Sequence, residues 1–381
     1  RLPRAIRDVY KRQDFQNCRF LDVNQDYRQI TGNLFKVLAA SPSIFSFVLN
    51  LSIAIIIYLG AQMIEVGDLQ VGTLAAFIEY IFHGLFSLLI FANIFMMYPR
   101  ASVSAGRLRE VQETPITVKN PDQPRRNESL QGTLEFRNVD FIYPDADQPV
   151  LRNISFTSKP GQTTAFIGST GSGKSTIIKL IPRFYDVSRG QILVDGIDIR
   201  DYDLDDLRSM IGFTPQKALL FKGKISDNLR YGKQDADLDE LIHASLISQA
   251  HEFVSEMDQG YDSDLTEKAS NLSGGQKQRL SIARSIVADR QIYIFDDSFS
   301  ALDYQTDAKL RASLKEETQN ATTLIVAQRV GTIMHADQII VLDQGRIEAI
   351  GTHRDLLKTS PIYYQIASSQ LSEEELLHGQ A

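Results

Sequence analysis

Cysteine is almost missing from this chain. Cys18 is the only one among 381 residues, so no internal disulfide can form, and nothing points to an oxidising compartment. An excess of positive charge is missing too: 40 Lys and Arg stand against 47 Asp and Glu, a net charge of −7. That balance argues against a nucleic-acid-binding surface. The chain shows no internal repeat and no signal peptide, and it starts with Arg1 rather than Met; a fragment is the expectation. Its length is enough for two or three domains.

Charge is absent altogether from one long stretch. Residues 1 to 36 are rich in basic side chains (Arg1, Arg4, Arg7, Lys11, Arg12, Arg19, Arg28, Lys36), but none is charged from 37 to 64, and 44 to 59 is densely apolar. About 20 apolar residues carry a helix across a bilayer. A short loop with Glu65, Gly67, Asp68 and Gly72 holds no Lys or Arg. A second apolar run from about 73 to 98 is broken only by Glu79 and His83, and Pro99 and Arg100 close it. Basic residues before the first run and after the second (Arg100, Arg107, Arg109) predict two membrane helices with both ends in the cytoplasm. Buried core helices would be the alternative, but they seldom run so long without charge. Glu79 and His83 share a helix face at membrane depth; they are candidates for a substrate path or for a hydrogen bond between helices.

Residues 111 to 130 are polar, hold Pro115, Pro121 and Pro124, and read as a linker. Beyond them, strand-like runs at 191–194, 292–295, 323–326 and 338–342 interleave with helical ones at 235–250, 274–288 and 304–318. This predicts an α/β domain over 131–370 with a largely parallel central sheet. The acidic tail, 371–381, is expected to fray.

The most informative stretch is Gly168-Ser169-Thr170-Gly171-Ser172-Gly173-Lys174-Ser175-Thr176, between the apolar run 164–167 and the helical 177–181. A Gly/Ser-rich turn is the bland reading. The other is a phosphate-binding loop: glycines let successive N–H groups face a nucleotide's phosphates, Lys174 reaches the β- and γ-phosphates, and the Ser175 hydroxyl takes Mg²⁺. Leu272-Ser273-Gly274-Gly275-Gln276 opens a second helix, with Ser273 suited to cap it and the glycines offering another anion site. Ile292-Tyr293-Ile294-Phe295 ends in Asp296, placed to hold Mg²⁺ through its water shell.

This order of motifs, behind two membrane spans, resembles the C-terminal part of an ABC exporter half-transporter. The resemblance implies a P-loop ATP-binding cassette at 131–370 and, at 1–110, the last two helices (about 41–62 and 73–98) of a six-helix membrane domain. It implies that Tyr143 stacks on adenine, that Gln216 contacts Mg²⁺ or water, and that Ser300-Ala301-Leu302-Asp303 crosses a dimer interface. Without the family, Tyr143 would read as a strand aromatic and Gln216 as a solvated turn residue. Gln13-Asp14-Phe15-Gln16-Asn17 resembles the second coupling helix; Val9 to Arg12 match poorly.

Two departures bear on mechanism. Hydrolytic subunits of the family carry Glu where this chain has Asp297, and a switch His where it has Gln328. An Asp carboxylate sits on the order of 1 Å further back, and misplacement on that scale can lose about 10²-fold in rate. Gln donates a hydrogen bond but has no titratable imidazole. The pattern resembles the degenerate subunit of a heterodimeric bacterial multidrug exporter. Its own site would bind ATP and Mg²⁺ and hydrolyse slowly, while Ser273, Gly274, Gly275 and Gln276 complete a partner's site. The resemblance further implies a multi-pass protein of the cell membrane with a cytoplasmic ATP-binding domain, a lipid bilayer around it, and a small-molecule substrate. A homodimeric exporter with Asp297 as an adequate base, and an ATP-gated regulatory membrane subunit, are the alternatives.

Overall fold

The computed structural model describes residues 13–127, 130–371 and Leu376. The basic stretch through Arg12, with the mismatch at Val9 to Arg12, lies outside the described residues, as does most of the acidic tail. The chain divides into two units, Arg1–Pro115 and Ile116–Ala381.

Among the described residues the first unit holds two helices, α1 (Gln13–Val66) and α2 (Val71–Glu113). Both run well past the apolar segments that predict them. At 1.5 Å per residue, α1 is about 80 Å long against a hydrocarbon layer of about 30 Å. The 13–17 segment forms the first turns of α1 and is continuous with the span, leaving Phe15 exposed. Pro42 and Pro99 sit inside these helices, as membrane helices tolerate. Large apolar side chains such as Phe47, Phe91 and Phe95 are exposed. Gly60 is the one buried residue among the described residues of this unit, and a Cβ there would lie 2.5 Å from Leu74 Cδ1. A missing side chain thus lets α1 and α2 close on each other.

The second unit holds two main sheets. Strands β1 (Leu134–Phe141), β2 (Leu151–Ser158), β4 (Arg189–Val194) and β5 (Ile197–Asp198) form an antiparallel sheet in the order β2-β1-β4-β5. The run at 191–194, grouped from sequence with the parallel strands, belongs here instead, paired antiparallel with β1. The central sheet is β12-β11-β3-β10-β9-β6. Its members are β3 (Thr163–Gly168), β6 (Ile211–Thr214), β9 (Ile292–Asp296), β10 (Thr322–Val326), β11 (Gln338–Asp343) and β12 (Arg346–Gly351), and all but β12 run parallel. A small ribbon pairs β7 (Gly223–Lys224) with β8 (Asp264–Leu265). Among the described residues its α-helices include α3 (Lys174–Leu180), α4 (Leu204–Ser209), α5 (Ile225–Arg230), α6 (Leu238–Ile247), α7 (His251–Ser255), α8 (Gly274–Val287), α9 (Tyr304–Glu317), α10 (Val330–Ile333), α11 (His353–Thr359) and α12 (Pro361–Ser368).

Every residue of β9 and β10 is buried, which is why they read as unbroken apolar runs: a parallel strand is covered on both faces. The register sets Val326 opposite both Phe166 and Asp296. The chain segments leaving β3, β9 and β10 therefore emerge together at the carboxyl edge, where open α/β sheets place their sites.

Both ends of the unit make specific contacts. Asn120, in the segment read as a linker, donates to Asp203 Oδ2 at 2.8 Å and accepts from the Leu204 amide at 2.8 Å, and Arg126 pairs with Asp206 at 3.0 Å. These contacts fasten that segment to the start of α4. In the tail expected to fray, Leu376 is helical, only 9% exposed, and part of the main hydrophobic core.

His353 is buried where α11 meets α12, its Nδ1 2.7 Å from the Tyr363 hydroxyl. Burial pushes its pKa below the ordinary value, with the neighbouring His335 adding to the effect. The unfolded chain therefore binds this proton more readily, so the contribution to stability is whole above about pH 6.5 and is lost as pH falls below it. The thermal unfolding midpoint should drop between pH 7.5 and 5.5, with a shallower slope in His353→Asn. Parallel slopes would contradict the assignment.

Candidate functional site

The site is built from the loop between β3 and α3. Gly168 ends the strand against its neighbour so tightly that a Cβ would lie 2.1 Å from the Leu342 carbonyl oxygen. Gly171 and Gly173 have φ of 84° and 101°, values that L side chains rarely adopt. Among the described residues none accepts a hydrogen bond from the amides of Thr170, Gly171 or Gly173. Lys174 folds back over the loop, its Nζ donating to the Gly168 and Ser169 carbonyls at 2.8 Å each and lying 3.4 Å from Ser172 Oγ. Burial lowers its pKa, while the Asp297 and Asp296 carboxylates pull the other way.

Ser175 Oγ donates to Asp296 Oδ1 at 3.2 Å, bringing two of the three proposed Mg²⁺ ligands face to face; the third, Gln216, reaches Asp297 instead. Burial raises the Asp296 pKa, and the Ser175 hydrogen bond opposes it. The described residues contain no group of three His, Cys, Asp or Glu that could hold a metal by themselves. A hydroxyl with one carboxylate fits a cation that takes its remaining ligands from phosphate and water, as Mg²⁺ does. With idle amides and a lysine at the loop, the residues present fit a magnesium nucleotide.

Asp297 takes the left-handed conformation, φ 47°, and its N–H donates to the Val326 carbonyl at 2.9 Å. Its Oδ2 accepts from two side-chain amides: Gln216 Nε2 at 3.1 Å and Gln328 Nε2 at 2.9 Å. Three residues singled out in the sequence, from three different loops, thus meet on one oxygen. Burial raises the Asp297 pKa; the Gln216 hydrogen bond and Arg329 oppose that.

Tyr143 hydrogen-bonds through its hydroxyl to Thr176 Oγ1 at 3.1 Å and stands edge-on to Phe141 and Tyr185. A cavity of about 870 Å³ combines loop 168–176 with Gln216 and Gln328. Its wall also includes Asp343, Ile362, Ile366 and Gln370, none of which the sequence reading named; they lie far along the chain and carry no motif. Ser273, Gly274, Gly275 and Gln276 do not line it. Ser273 and Gln276 cap α8 reciprocally: Ser273 Oγ accepts from the Gln276 amide at 3.3 Å, and Gln276 Oε1 from the Ser273 amide at 2.9 Å. A Cβ on Gly275 would lie 3.1 Å from the Ala301 carbonyl oxygen, so the 300–303 loop packs on this helix start. Asp303 then caps α9, accepting from the Thr306 amide at 3.0 Å.

Two family models match, the ABC transporter transmembrane region over residues 8–89 and the ABC transporter over 151–300. The chain carries an ABC transporter transmembrane region followed by an ABC ATPase domain. It is 40% identical to an uncharacterized ABC transporter ATP-binding protein of Mycobacterium tuberculosis over 371 residues, 96% of this chain and 63% of that one. It is 33% identical to an ATP-dependent lipid A-core flippase of Syntrophus aciditrophicus, covering 95% of this chain and 60% of the flippase. Among solved structures, a bacterial Atm1-family ABC exporter with ATP bound matches with a TM-score of 0.80 and 30% identity, over 96% of this chain and 64% of the other. The chain spans about 63% of the length of the first of these relatives, and it has the domain order of an ABC exporter half-transporter. The transmembrane region and exporter fold make it a membrane protein with its ATP domain on the cytoplasmic side.

The Gly168 contact yields a direct expectation. In Gly168→Ala the new methyl has no room against the rigid Leu342 carbonyl, so the loop must shift. Nucleotide affinity, followed by a fluorescent ATP analogue, should fall at least about tenfold, which is roughly 1.4 kcal/mol, with circular dichroism unchanged. Full affinity would contradict the cradle geometry.

Proposed function

We propose that this chain is the ATP-binding and permease subunit of an ABC exporter that moves small molecules, drug-like or lipid-like, outward across the cell membrane. Its own site holds Mg·ATP and hydrolyses it slowly, and its 272–276 segment completes the site of a second, dissimilar half-transporter. The observation that carries this reading is the double amide contact on Asp297 Oδ2.

In this reading the amides of 170–173 and Lys174 cradle the phosphates, Tyr143 stacks on the adenine, and Ser175, Asp296 and Gln216 hold Mg²⁺. The magnesium ion, when bound, neutralises charge on the phosphates. Asp297 stands where a general base would act. Its carboxylate is one methylene shorter than Glu and already receives two hydrogen bonds, each favouring its charged form and lowering its appetite for a proton. Gln328 can donate to a phosphate oxygen but cannot titrate. General-base help is worth about 10² to 10⁴ in rate, so its impairment leaves a site that binds more readily than it turns over. Ser273, Gly274, Gly275 and Gln276 do not line this chain's own cavity, which supports a head-to-tail pairing. ATP binding would close the pair and turn the membrane helices outward, and hydrolysis at the partner's site would reset them. A lipid-like substrate draws support from the flippase among the relatives.

A homodimeric exporter is the second reading, and the burial that raises the Asp297 pKa favours it, since a more basic carboxylate is a better base.

In the purified pair, removing the partner's catalytic carboxylate should abolish ATPase activity, while Asp297→Asn here should change it little. Equal losses would overturn the heterodimer. Conversely, Asp297→Glu with Gln328→His should raise hydrolysis at this chain's own site by about tenfold or more; no gain would mean the defect lies elsewhere.

A further inference from the structure

The loop between β10 and α10 is held from an unexpected quarter. Gln370, two residues beyond the end of α12, uses both ends of its side-chain amide on this loop. Its Nε2 donates to the Gln328 carbonyl at 2.9 Å, and its Oε1 accepts from the Val330 amide at 2.8 Å. One side chain thereby pairs with residues two apart, as the backbone of a neighbouring strand would. Its own anchorage is firm: the Gln370 amide donates to the Ala367 carbonyl at 3.0 Å, and Ala367 and Tyr363 are fully buried.

Gln328 is therefore fixed at both ends. Its backbone is tied to Gln370, and its side-chain amide reaches Asp297. Gln328 and Gln370 also face the same cavity as the phosphate loop. Nothing else among the described hydrogen bonds fastens the Gln328 carbonyl or the Val330 amide to another element.

We propose that Gln370 is a positioning residue that sets the place of the Gln328 amide and so how tightly the site grips the terminal phosphate of a nucleoside triphosphate. This rests on the nucleotide reading of the site and adds the C-terminal segment to it. Because the Gln328 side-chain amide is hydrogen-bonded to Asp297, which in this reading stands where a base would act at the terminal phosphate, the effect falls on triphosphate and spares diphosphate.

The test uses the full chain in detergent, titrated with Mg·ATP and Mg·ADP in calorimetry. Gln370→Ala should weaken ATP about three- to tenfold, the scale of one or two hydrogen bonds, and leave ADP within about twofold. On a Gln328→Ala background the same substitution should cost nothing further, since the two residues act through one contact. Equal losses for ATP and ADP, additive losses in the double variant, or unchanged ATP affinity would each overturn the positioning role. A wild-type chain binding neither nucleotide would instead defeat the nucleotide reading itself.

Discussion

The site depends on one carboxylate oxygen that serves two amides. Asp297 Oδ2 accepts from Gln216, which follows β6, and from Gln328, which follows β10, while Asp297 itself follows β9. Those three strands are neighbours in the sheet order β10-β9-β6. A one-residue slip in any of the pairings would move a side chain to the other face and break the junction. The buried apolar strands thus do more than fill the core: their register selects which three polar groups meet at the carboxyl edge. Asp297 completes the arrangement by adopting φ 47°, a conformation usually costing on the order of 1 kcal/mol or more in a residue with a Cβ.

The same junction holds opposed electrostatic forces. Burial pushes the Asp297 proton affinity up, and the hydrogen bonds from Gln216 and the charge of Arg329 pull it down. Burial prevails, so the carboxylate's proton affinity is raised, but a catalytic base also needs that carboxylate free to reach water. Here the carboxylate is short and occupied. Around it the phosphate-binding parts are intact: the idle loop amides, Lys174 poised on the loop carbonyls, and Ser175 against Asp296. In the proposed reading binding and hydrolysis rest on different side chains, and only the second set, Asp297 and Gln328, departs from the pattern that the resemblance implies.

Much of this was legible in the sequence, for physical reasons that can be named. The phosphate loop needs glycines where φ is positive or a neighbouring carbonyl is close, and β9 and β10 needed unbroken apolar runs because both faces are covered. The cap on α8 was visible as Ser273 followed three residues later by Gln276. What escaped notice depends on contacts distant in the chain or on broken periodicity. Strand β1 carries register shifts on both sides, so its alternation is blurred and the antiparallel sheet was not foreseen. The helices α1 and α2 extend into polar sequence that a hydropathy argument stops short of. Gln370 and Asn120 are ordinary polar residues whose partners lie 42 and 83 residues away, and Leu376 stands in a tail whose acidic composition suggested fraying.

The account's central claim is that this site holds its nucleotide without cleaving it promptly. The most direct measurement is an acid-quenched single turnover: radiolabelled Mg·ATP is bound to the purified chain with its protein in excess, and the nucleotide is recovered over minutes. The account predicts that it comes back as ATP. Recovery as ADP within seconds, with no second half-transporter present, would contradict it.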